Sequence, residues 1–372
     1  MSQRGHNEGT IFKRADGRWC GQVSLDGGKR KSVYGRTRQD VARKLIEVFR
    51  DRDRGLPIVA ERQTLAQYLV SWLDAKAHQL DVATQERYGQ LIRLHILPVL
   101  GKAALTKLNA QQVQALYANK ISEGLSARTV RQLHVVLKSA LKSAVRLGIV
   151  QFNVCERVDP PRPSRSELHP LTPEQAQAFL RATHGDRLEA LFVLAVHTGM
   201  RQGELLGLRW SDVILDSATL QVRGTLQRVP GHKRIKDPKT ASSRRRVTLS
   251  AQAVEALRAH RTRQLAERIA LGPEWSDEDL VFPGPSGHPL NYRGMTDDHF
   301  KRALRRADVP EIRFHDLRHT CATLLLLGGV HPKIVSEMLG HSTISITLDT
   351  YSHVLPTMQR DAAATLERLF GS

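Results

Sequence analysis

The chain has 372 residues, and its 56 Lys and Arg outnumber its 37 Asp and Glu, which gives a formal net charge of +19. Its hydrophobic content of 41% is sufficient for packed cores and excludes a disordered basic tail. The length allows two or three domains, and the charge favours a polyanionic partner, most often nucleic acid. A basic surface that is merely solvated stays open as the alternative interpretation of the charge.

The sequence also limits the compartment. It contains no apolar run of about 18 residues, so neither a transmembrane helix nor a membrane partner is expected. The N-terminus lacks the apolar core of a signal peptide. Cys20, Cys155 and Cys321 are odd in number, far apart and without metal-ligand spacing, which favours packing roles in a reduced, cytoplasmic setting.

Residues 1–56 predict a small β-β-β-α domain. Strands are predicted over Gly9–Arg14, Arg18–Leu25 and Lys29–Tyr34. A capping box at Thr37 and Asp40 then opens a helix with apolar residues at helical spacing. Residues 1–55 carry 14 Lys or Arg against 7 Asp or Glu, so we expect this domain to bind DNA. A basic module that binds a protein, or nothing, is the alternative.

Residues 62–158 predict an all-α bundle with short loops. Helix starts are predicted at Thr64, Ala83, Asn109 and Ser126, and the second helix is predicted to end at Pro98 and Gly101. Basic side chains on the polar faces of such helices are usually only solvated, so DNA contact here is inferred from the neighbouring domains. The Pro-rich stretch Cys155–Ser166 predicts an extended connector and the clearest domain boundary.

Residues 169–372 predict a mixed α+β domain that is mainly helical and contains a small antiparallel sheet. Helices are predicted from Thr172, over Arg187–His197 and from Ser250, and strands within Asp212–Thr225, Val247–Leu249 and Val281–Phe282. The polar stretch Lys236–Arg246, between the first two strand regions, predicts a hairpin tip. Met358–Phe370 predicts a last amphipathic helix.

The C-terminal part concentrates residues that suit phosphate chemistry. Arg318 follows His315 by three positions, which places both on one helix face. His341 follows the helix stop at Gly340, and Tyr351 lies ten residues further on. A guanidinium fork matches two phosphate oxygens, and a tyrosine can act as a covalent nucleophile.

Two further observations bear on this set. Arg201 follows a predicted helix stop at Gly199, and Glu204 comes three residues later, a spacing that lets Glu204 orient Arg201 from behind. His315 and His319 stand four residues apart, but Asp316 occupies the place where a zinc protease has Glu, and no Cys pair lies nearby. A metal site is therefore not expected.

The order and spacing of these residues resemble the tyrosine recombinase, or phage integrase, family. Arg201 precedes Arg318 by 117 residues, His341 follows after 23 and Tyr351 after 10 more. Lys239 fits the lysine of the family motif better than Lys236 does. The resemblance covers essentially the whole chain, and it implies an arm-type DNA-binding domain, a helical core-site DNA-binding domain and a catalytic domain.

The resemblance also implies the chemistry. Arg201 and Arg318 would hold the scissile phosphate, so neither a metal nor another cofactor is expected. His315 and His341 would add hydrogen bonds, with His315 as a general base for the tyrosine. Tyr351 would attack and form a 3′-phosphotyrosyl bond that stores the energy of the ester, so no ATP is needed. Lys239 would protonate the 5′-oxygen leaving group.

The implied partners are double-stranded DNA at attachment sites and a homo-tetramer on that DNA, with host DNA-bending and directionality factors as further candidates. The N-terminal module favours the integrase of a phage or mobile element. A type IB topoisomerase, which shares the chemistry, and a non-catalytic DNA-binding regulator are the alternatives. The sequence leaves open whether the last helix docks on its own chain or on a neighbour.

Overall fold

A computed structural model describes residues 9–24, 30–53, 63–164, 169–229, 232–236, 244–351, 364 and 366–370. The chain divides into two compact units, Met1–Arg165 and Ser166–Ser372. The three domains predicted from the sequence are a finer division, which stays a prediction.

The first unit begins with the predicted β-β-β-α arrangement. Its strands are β1 (Thr10–Lys13), β2 (Trp19–Ser24) and β3 (Arg30–Gly35), and its helix is α1 (Arg38–Asp53). The strands form one antiparallel sheet in the order β1-β2-β3. Val23 of β2 packs against Val41, Leu45 and Val48 of α1, because a sheet this small has few other ways to bury its apolar face.

Five helical segments follow in the first unit: α2 (Leu65–Lys76), α3 (Val82–Leu91), α4 (Leu97–Leu100), α5 (Ala110–Ser122) and α6 (Ala127–Arg146). The predicted caps explain three of the starts, since Thr64, Asn109 and Ser126 each accept a hydrogen bond from the backbone N–H three residues on. One apolar core joins these helices. The predicted all-α bundle is confirmed.

Two details of this bundle differ from the sequence-based prediction. Pro98 does not end the second helix: a π-helical turn, Ile92–Ile96, carries the chain from α3 into α4, where Pro98 occupies an early position. The wide π-helical turn just before Pro98 changes the hydrogen-bond pattern at the point where a proline lacks its N–H, so the helical path continues to Leu100. Cys155, placed in the connector, is instead buried in the bundle core within the 3₁₀ turn Val154–Arg157.

The second unit is mainly helical. Its helices are α7 (Pro173–Ala182), α8 (Glu189–Thr198), α9 (Gln202–Leu206), α10 (Ala251–Leu271), α11 (Tyr292–Gly294), α12 (Lys301–Arg306), α13 (Asp316–Leu327), α14 (Pro332–Leu339) and α15 (Ile344–Tyr351). Its strands are β4 (Val213–Ile214), β5 (Thr219–Val222), β6 (Thr225–Val229), β7 (His232–Lys236) and β8 (Arg245–Thr248). The fold class predicted from the sequence is confirmed.

Helix α8 lies at the centre of this unit. Most of its residues are buried, and it contacts both α10 and α13. Phe192 of α8 packs against Phe179, Phe300 and Phe314 with ring centroids 5.5–6.5 Å apart. This core fixes the C-terminal end of α8, from which the candidate site is built.

The predicted hairpin tip falls largely on residues 237–243, which lie outside the described residues. Of the strands on either side, β7 pairs with β6, whereas β8 pairs with β5 in the sheet β4-β5-β8. Val281 and Phe282 are buried but form no strand in the described chain, where only isolated bridges at Leu280 and Pro283 flank them.

The last helix lies largely outside the described residues, because only 364 and 366–370 of its predicted span are described, and these are helical. Within the described part of the chain, no helix is both long and apolar enough to cross a membrane.

Candidate active site

The site begins at the corner between α8 and α9. Gly199 ends α8 with a φ of 60°, the left-handed conformation that glycine adopts without strain. Arg201 is the N-cap residue of α9, and its backbone N–H donates to Glu204 Oε2 at 2.9 Å. Its Nη1 donates to Glu204 Oε1 at 2.8 Å. Glu204 therefore fixes both the backbone and the guanidinium of Arg201.

A second arginine, which the sequence analysis did not single out, shares this carboxylate. Arg245 lies at the start of β8, is 9% exposed and donates to Glu204 from Nη1 at 3.2 Å and from Nη2 at 2.8 Å. Its only sequence signal is a place in a run of three arginines. Burial raises the pKa of Glu204, but the hydrogen bonds and charge of Arg245 outweigh this, so its net pKa is lowered.

Arg318 lies on the first turn of α13 and is held by main-chain carbonyls. Its side chain is almost fully buried, and Nη1 donates to the carbonyls of Gly199 at 2.8 Å and Leu339 at 2.7 Å. Its buried Nη2 has no hydrogen-bond partner among the described residues. A buried donor without a partner is costly, so this atom suits an anionic ligand.

The two guanidinium groups meet at one turn. Arg201 Nη2 donates to the carbonyl of Gly340 at 3.3 Å, and that carbonyl directly follows the Leu339 carbonyl bound by Arg318. Burial, together with the like charge of Arg201, lowers the pKa of Arg318 to about 9. The negative charge of a phosphate placed here would oppose both effects, because it favours the charged guanidinium.

Two histidines border this turn. His341 follows Gly340, which ends α14 at a φ of 69°, and its Nδ1 lies 2.7 Å from Thr347 Oγ1. Burial and the nearby Arg318 lower the pKa of His341 to about 4. His315 is the residue immediately before α13, and its exposed ring has a pKa lowered by partial desolvation and by Arg318. Both rings are therefore neutral near pH 7.

Tyr351 ends α15 and is only 1% exposed, packed against Leu326, Val335 and Leu339. Its hydroxyl lies 2.7 Å from Nδ1 of His319. Burial raises the pKa of Tyr351, and Arg318 opposes that rise.

The family resemblance implies His315 as general base for the tyrosine, but the imidazole at hydrogen-bond distance from the phenol is that of His319. In the sequence, His319 stands out only through a spacing that zinc ligands also use. The His319 ring stands at 88° to that of His315, with centroids 5.1 Å apart, and its pKa is lowered to about 4 by burial and by His315. A helical spacing of four residues from His315 was the available signal for a shared face.

Lys239 lies outside the described residues. No group of three or more His, Cys, Asp or Glu residues suited to a metal ion occurs in the part of the chain that the structure describes. The site brings together Arg201, Glu204, Arg318 and the turn before His341. It also places Tyr351 against His319, which directly follows Arg318 in the sequence.

Comparison with known proteins identifies the group to which this site belongs. The sequence model of the Phage integrase family matches residues 169–358, about half of the chain. The chain belongs to the phage integrase family. A second model of that family, the N-terminal SAM-like domain, matches residues 64–122 in the helical bundle.

The sequences of two relatives match this chain over nearly its full length. It is 32% identical over 361 residues to a tyrosine recombinase XerC-like protein of Caldanaerobacter subterraneus subsp. tengcongensis, covering 92% of each chain. It is 31% identical over 369 residues to an integrase of Streptomyces ambofaciens, covering 95% of this chain and 94% of the relative. The chain is therefore a DNA strand-transfer enzyme of the tyrosine recombinase type.

Solved structures share the fold. The integrase of the Tn1549 transposon, in complex with transposon right end DNA, matches with a TM-score of 0.68 at 23% identity, covering 83% of this chain and all of that one. A lambda integrase dimer bound to a COC′ core site matches with a TM-score of 0.58 at 20% identity, covering 94% and 96%. At this identity the likeness concerns the architecture alone.

Proposed function

We propose that this phage integrase is a site-specific DNA recombinase of a phage or another mobile element. It cuts and rejoins double-stranded DNA at attachment sites through a 3′-phosphotyrosine and a Holliday junction, with no metal and no ATP. One observation carries the proposal: two guanidinium groups from distant parts of the chain lie on the adjacent carbonyls of Leu339 and Gly340, beside His341. The arrangement is suited to grip one phosphate diester.

In this mechanism Arg201 and Arg318 bind the non-bridging oxygens of the scissile phosphate. Their charge opposes the negative charge that grows on the phosphorane-like transition state, and their positions are set before the DNA arrives. Nη2 of Arg318, which has no partner among the described residues, gains a hydrogen bond when the phosphate is bound. His341 and His315, both neutral, add N–H donors to the phosphate.

The phenol of Tyr351 attacks phosphorus, and its proton passes to a neutral imidazole. The ring that lies within hydrogen-bond distance of the phenol is His319, with His315 against it. The 5′-oxygen leaves with a proton from Lys239, and the new 3′-phosphotyrosyl ester keeps the bond energy. Attack by the 5′-hydroxyl of a second strand then reverses these steps and releases the tyrosine.

The partners proposed from the family resemblance follow from this role. Four copies on two DNA duplexes would exchange strands in pairs, and host DNA-bending and directionality factors would set the architecture. A cytoplasmic location fits three buried cysteines without disulfides. The basic N-terminal sheet would hold arm-type DNA while the helical bundle holds the core site.

A suicide DNA substrate tests the chemistry. Its nick beside the cleavage site lets the 5′-hydroxyl strand diffuse away, so cleavage traps a covalent complex on a denaturing gel. We expect the wild type to be trapped and Tyr351→Phe to give no complex while still shifting the DNA. Binding without cleavage by the wild type at every salt concentration would instead support a DNA-binding regulator.

The same assay separates the two histidines. Removing the group that takes the phenolic proton should lower the single-turnover cleavage rate by about 10²–10⁴-fold. We expect this for His319→Phe, and a smaller loss for His315→Phe. The reverse order would assign the phenolic proton to His315.

A strand-joining assay tests recombination itself. Joining of two different duplexes, which a monomeric type IB topoisomerase does not perform, would establish it.

A further inference from the structure

Arg245 sits where three elements of the second unit meet. It opens β8, a strand whose residues alternate between buried and exposed, so that Arg245 points inward and Arg246 outward. Its Nε donates to the carbonyl of Met338 in α14 at 2.6 Å. Its Nη1 and Nη2 donate to Glu204 of α9. One buried guanidinium thus ties β8, α9 and α14 together.

Two arginines supply all four hydrogen bonds described for the carboxylate of Glu204. Oε1 accepts from Arg201 Nη1 at 2.8 Å and from Arg245 Nη1 at 3.2 Å. Oε2 accepts from the Arg201 backbone at 2.9 Å and from Arg245 Nη2 at 2.8 Å. Each oxygen therefore uses two acceptor directions, and the position of the carboxylate is over-determined.

Loss of Arg245 would change the state of Arg201. Glu204 is 5% exposed and would keep Arg201 as its one strong counter-ion among the contacts described above. The Glu204 carboxylate would either pull the Arg201 guanidinium toward itself, or take up a proton and lose its attraction for that guanidinium. In both cases Arg201 would leave the geometry in which Nη2 reaches the carbonyl of Gly340.

The second contact of Arg245 acts on the same turn. Met338 precedes Leu339 and Gly340, whose carbonyls receive Arg318 and Arg201. Arg245 therefore holds the turn from one end and the carboxylate behind Arg201 from the other.

We infer that Arg245 is a positioning residue for strand cleavage: through Glu204 and the carbonyl of Met338, it keeps the charge of Arg201 directed at the scissile phosphate. This inference rests on the proposed function. It does not require Arg245 to touch DNA.

The first test is single-turnover cleavage of the suicide substrate by the full chain at saturating DNA. Arg245→Met keeps the apolar stem and removes the fork, and we expect a rate about 10²-fold below wild type, the size of a misplaced catalytic group. Arg245→Lys restores one charge without the fork and should recover part of the rate. Arg246→Met is the matched control on the outward face of the same strand and should stay within about 3-fold of wild type.

A second readout distinguishes positioning from general damage. Replacing one non-bridging oxygen of the scissile phosphate by a methyl group makes the phosphate uncharged, so the charge of Arg201 matters less there. The ratio of wild-type to Arg245→Met rates should then fall from about 10²-fold to a few-fold, as it should for Arg201→Ala. Arg201→Ala combined with Arg245→Met should be scarcely slower than Arg201→Ala alone.

The outcomes are distinct. Wild-type protein that never cleaves would overturn the proposed function. Active wild type with Arg245→Met at the same rate would overturn only this inference. An equal loss on charged and uncharged phosphates, or multiplicative losses in the double variant, would also overturn it, because Arg245 would then act independently of Arg201. Melting curves that match wild type for Arg245→Lys show that its rate reports on the site.

Discussion

At the scale of single residues, the two arginines on neighbouring carbonyls are held in different ways. The side chain of Arg201 is 39% exposed and is oriented by a carboxylate, whereas Arg318 is 3% exposed and is oriented by two main-chain oxygens. The planar fork of an arginine lets one nitrogen bind two carbonyls while a second nitrogen presents its N–H groups at a fixed position elsewhere. Lysine at position 318 would keep the charge and lose this geometry.

Two partly buried histidines predict how stability depends on pH. The pKa values of His319 and His341 are lowered to about 4 from an ordinary value of about 6.5, so the unfolded chain binds more protons between these limits. The free energy of unfolding should therefore be fully present above about pH 6.5 and decline as the pH falls toward about 4. Each histidine should contribute up to about 3 kcal/mol to this decline, because one pKa unit corresponds to about 1.4 kcal/mol.

Urea unfolding at a series of pH values measures the effect. His319→Phe together with His341→Asn should flatten the slope. His288→Gln, which changes an exposed ring with 64% side-chain accessibility, should leave it unchanged. A slope that persists in the double variant would place the acid sensitivity in other groups.

Sequence alone could predict the residues whose role depends on spacing. Arg201, Arg318, His341 and Tyr351 fall at intervals that a known motif requires. It could not predict Arg245 or the contact of His319 with the phenol, because both depend on which elements meet in space. One arginine in a run of three gives no sign that it is the buried one.

At the scale of elements, the corner between α8 and α9 sets the site. Gly199 has a φ of 60°, and a Cβ there would collide with the Leu339 side chain. The carbonyls of both residues bind Arg318. Anything that separates α8 from α14 therefore also moves the oxygens that orient Arg318.

Gly199→Ala should be both unstable and inactive. It combines left-handed backbone strain with overpacking, and we expect it to lower the free energy of unfolding by about 2–4 kcal/mol. Gly329→Ala is the matched control, because Gly329 has a φ of 79° but open space around its Cα. It should cost about 1 kcal/mol, from strain alone. Denaturant unfolding and suicide-substrate cleavage of both variants give the comparison.

Cleavage should be lost only in Gly199→Ala. Equal stability and equal cleavage in the two variants would show that the Leu339 contact does not position the site.

Element boundaries followed from the sequence wherever a local signal decided them. Four helices begin at predicted N-cap residues, namely Thr64, Asn109, Ser126 and Thr172. In each, the side-chain oxygen accepts from the backbone N–H three residues on, so the cap forms without any contact to a distant part of the chain. The π turn before Pro98 and the pairing of β8 with β5 had no such local signal. Both are set by the packing around them.

At the scale of the whole molecule, the two compact units have separate apolar cores. The first unit buries its bundle core and the second the core around α8, and no residue is shared between them. Each core is large enough for a domain to fold on its own. The proposed function gives the units different tasks, one gripping DNA and the other cutting it.

Cutting the chain between the units tests this division. With a specific-protease sequence inserted after Ser164, cleavage should yield two fragments, and each should unfold cooperatively in urea. Covalent trapping of DNA by the second fragment should persist but require a higher protein concentration, because the link no longer adds the affinity of the first unit. The uncut insertion variant is the control. A fragment without a cooperative transition would show that the units fold as one.

The arginines of the candidate site outnumber the carboxylates that bind them. Arg201 and Arg245 share the buried carboxylate of Glu204, whereas Arg318 is bound by main-chain carbonyls, and its Nη2 has no partner among the described residues. Three positive charges beside one negative charge favour an anion, so small oxyanions such as vanadate or sulfate should bind at the site and raise the melting temperature of the second unit. The same excess of positive charge should also favour binding of inhibitors that imitate a tetrahedral or trigonal-bipyramidal phosphorus centre.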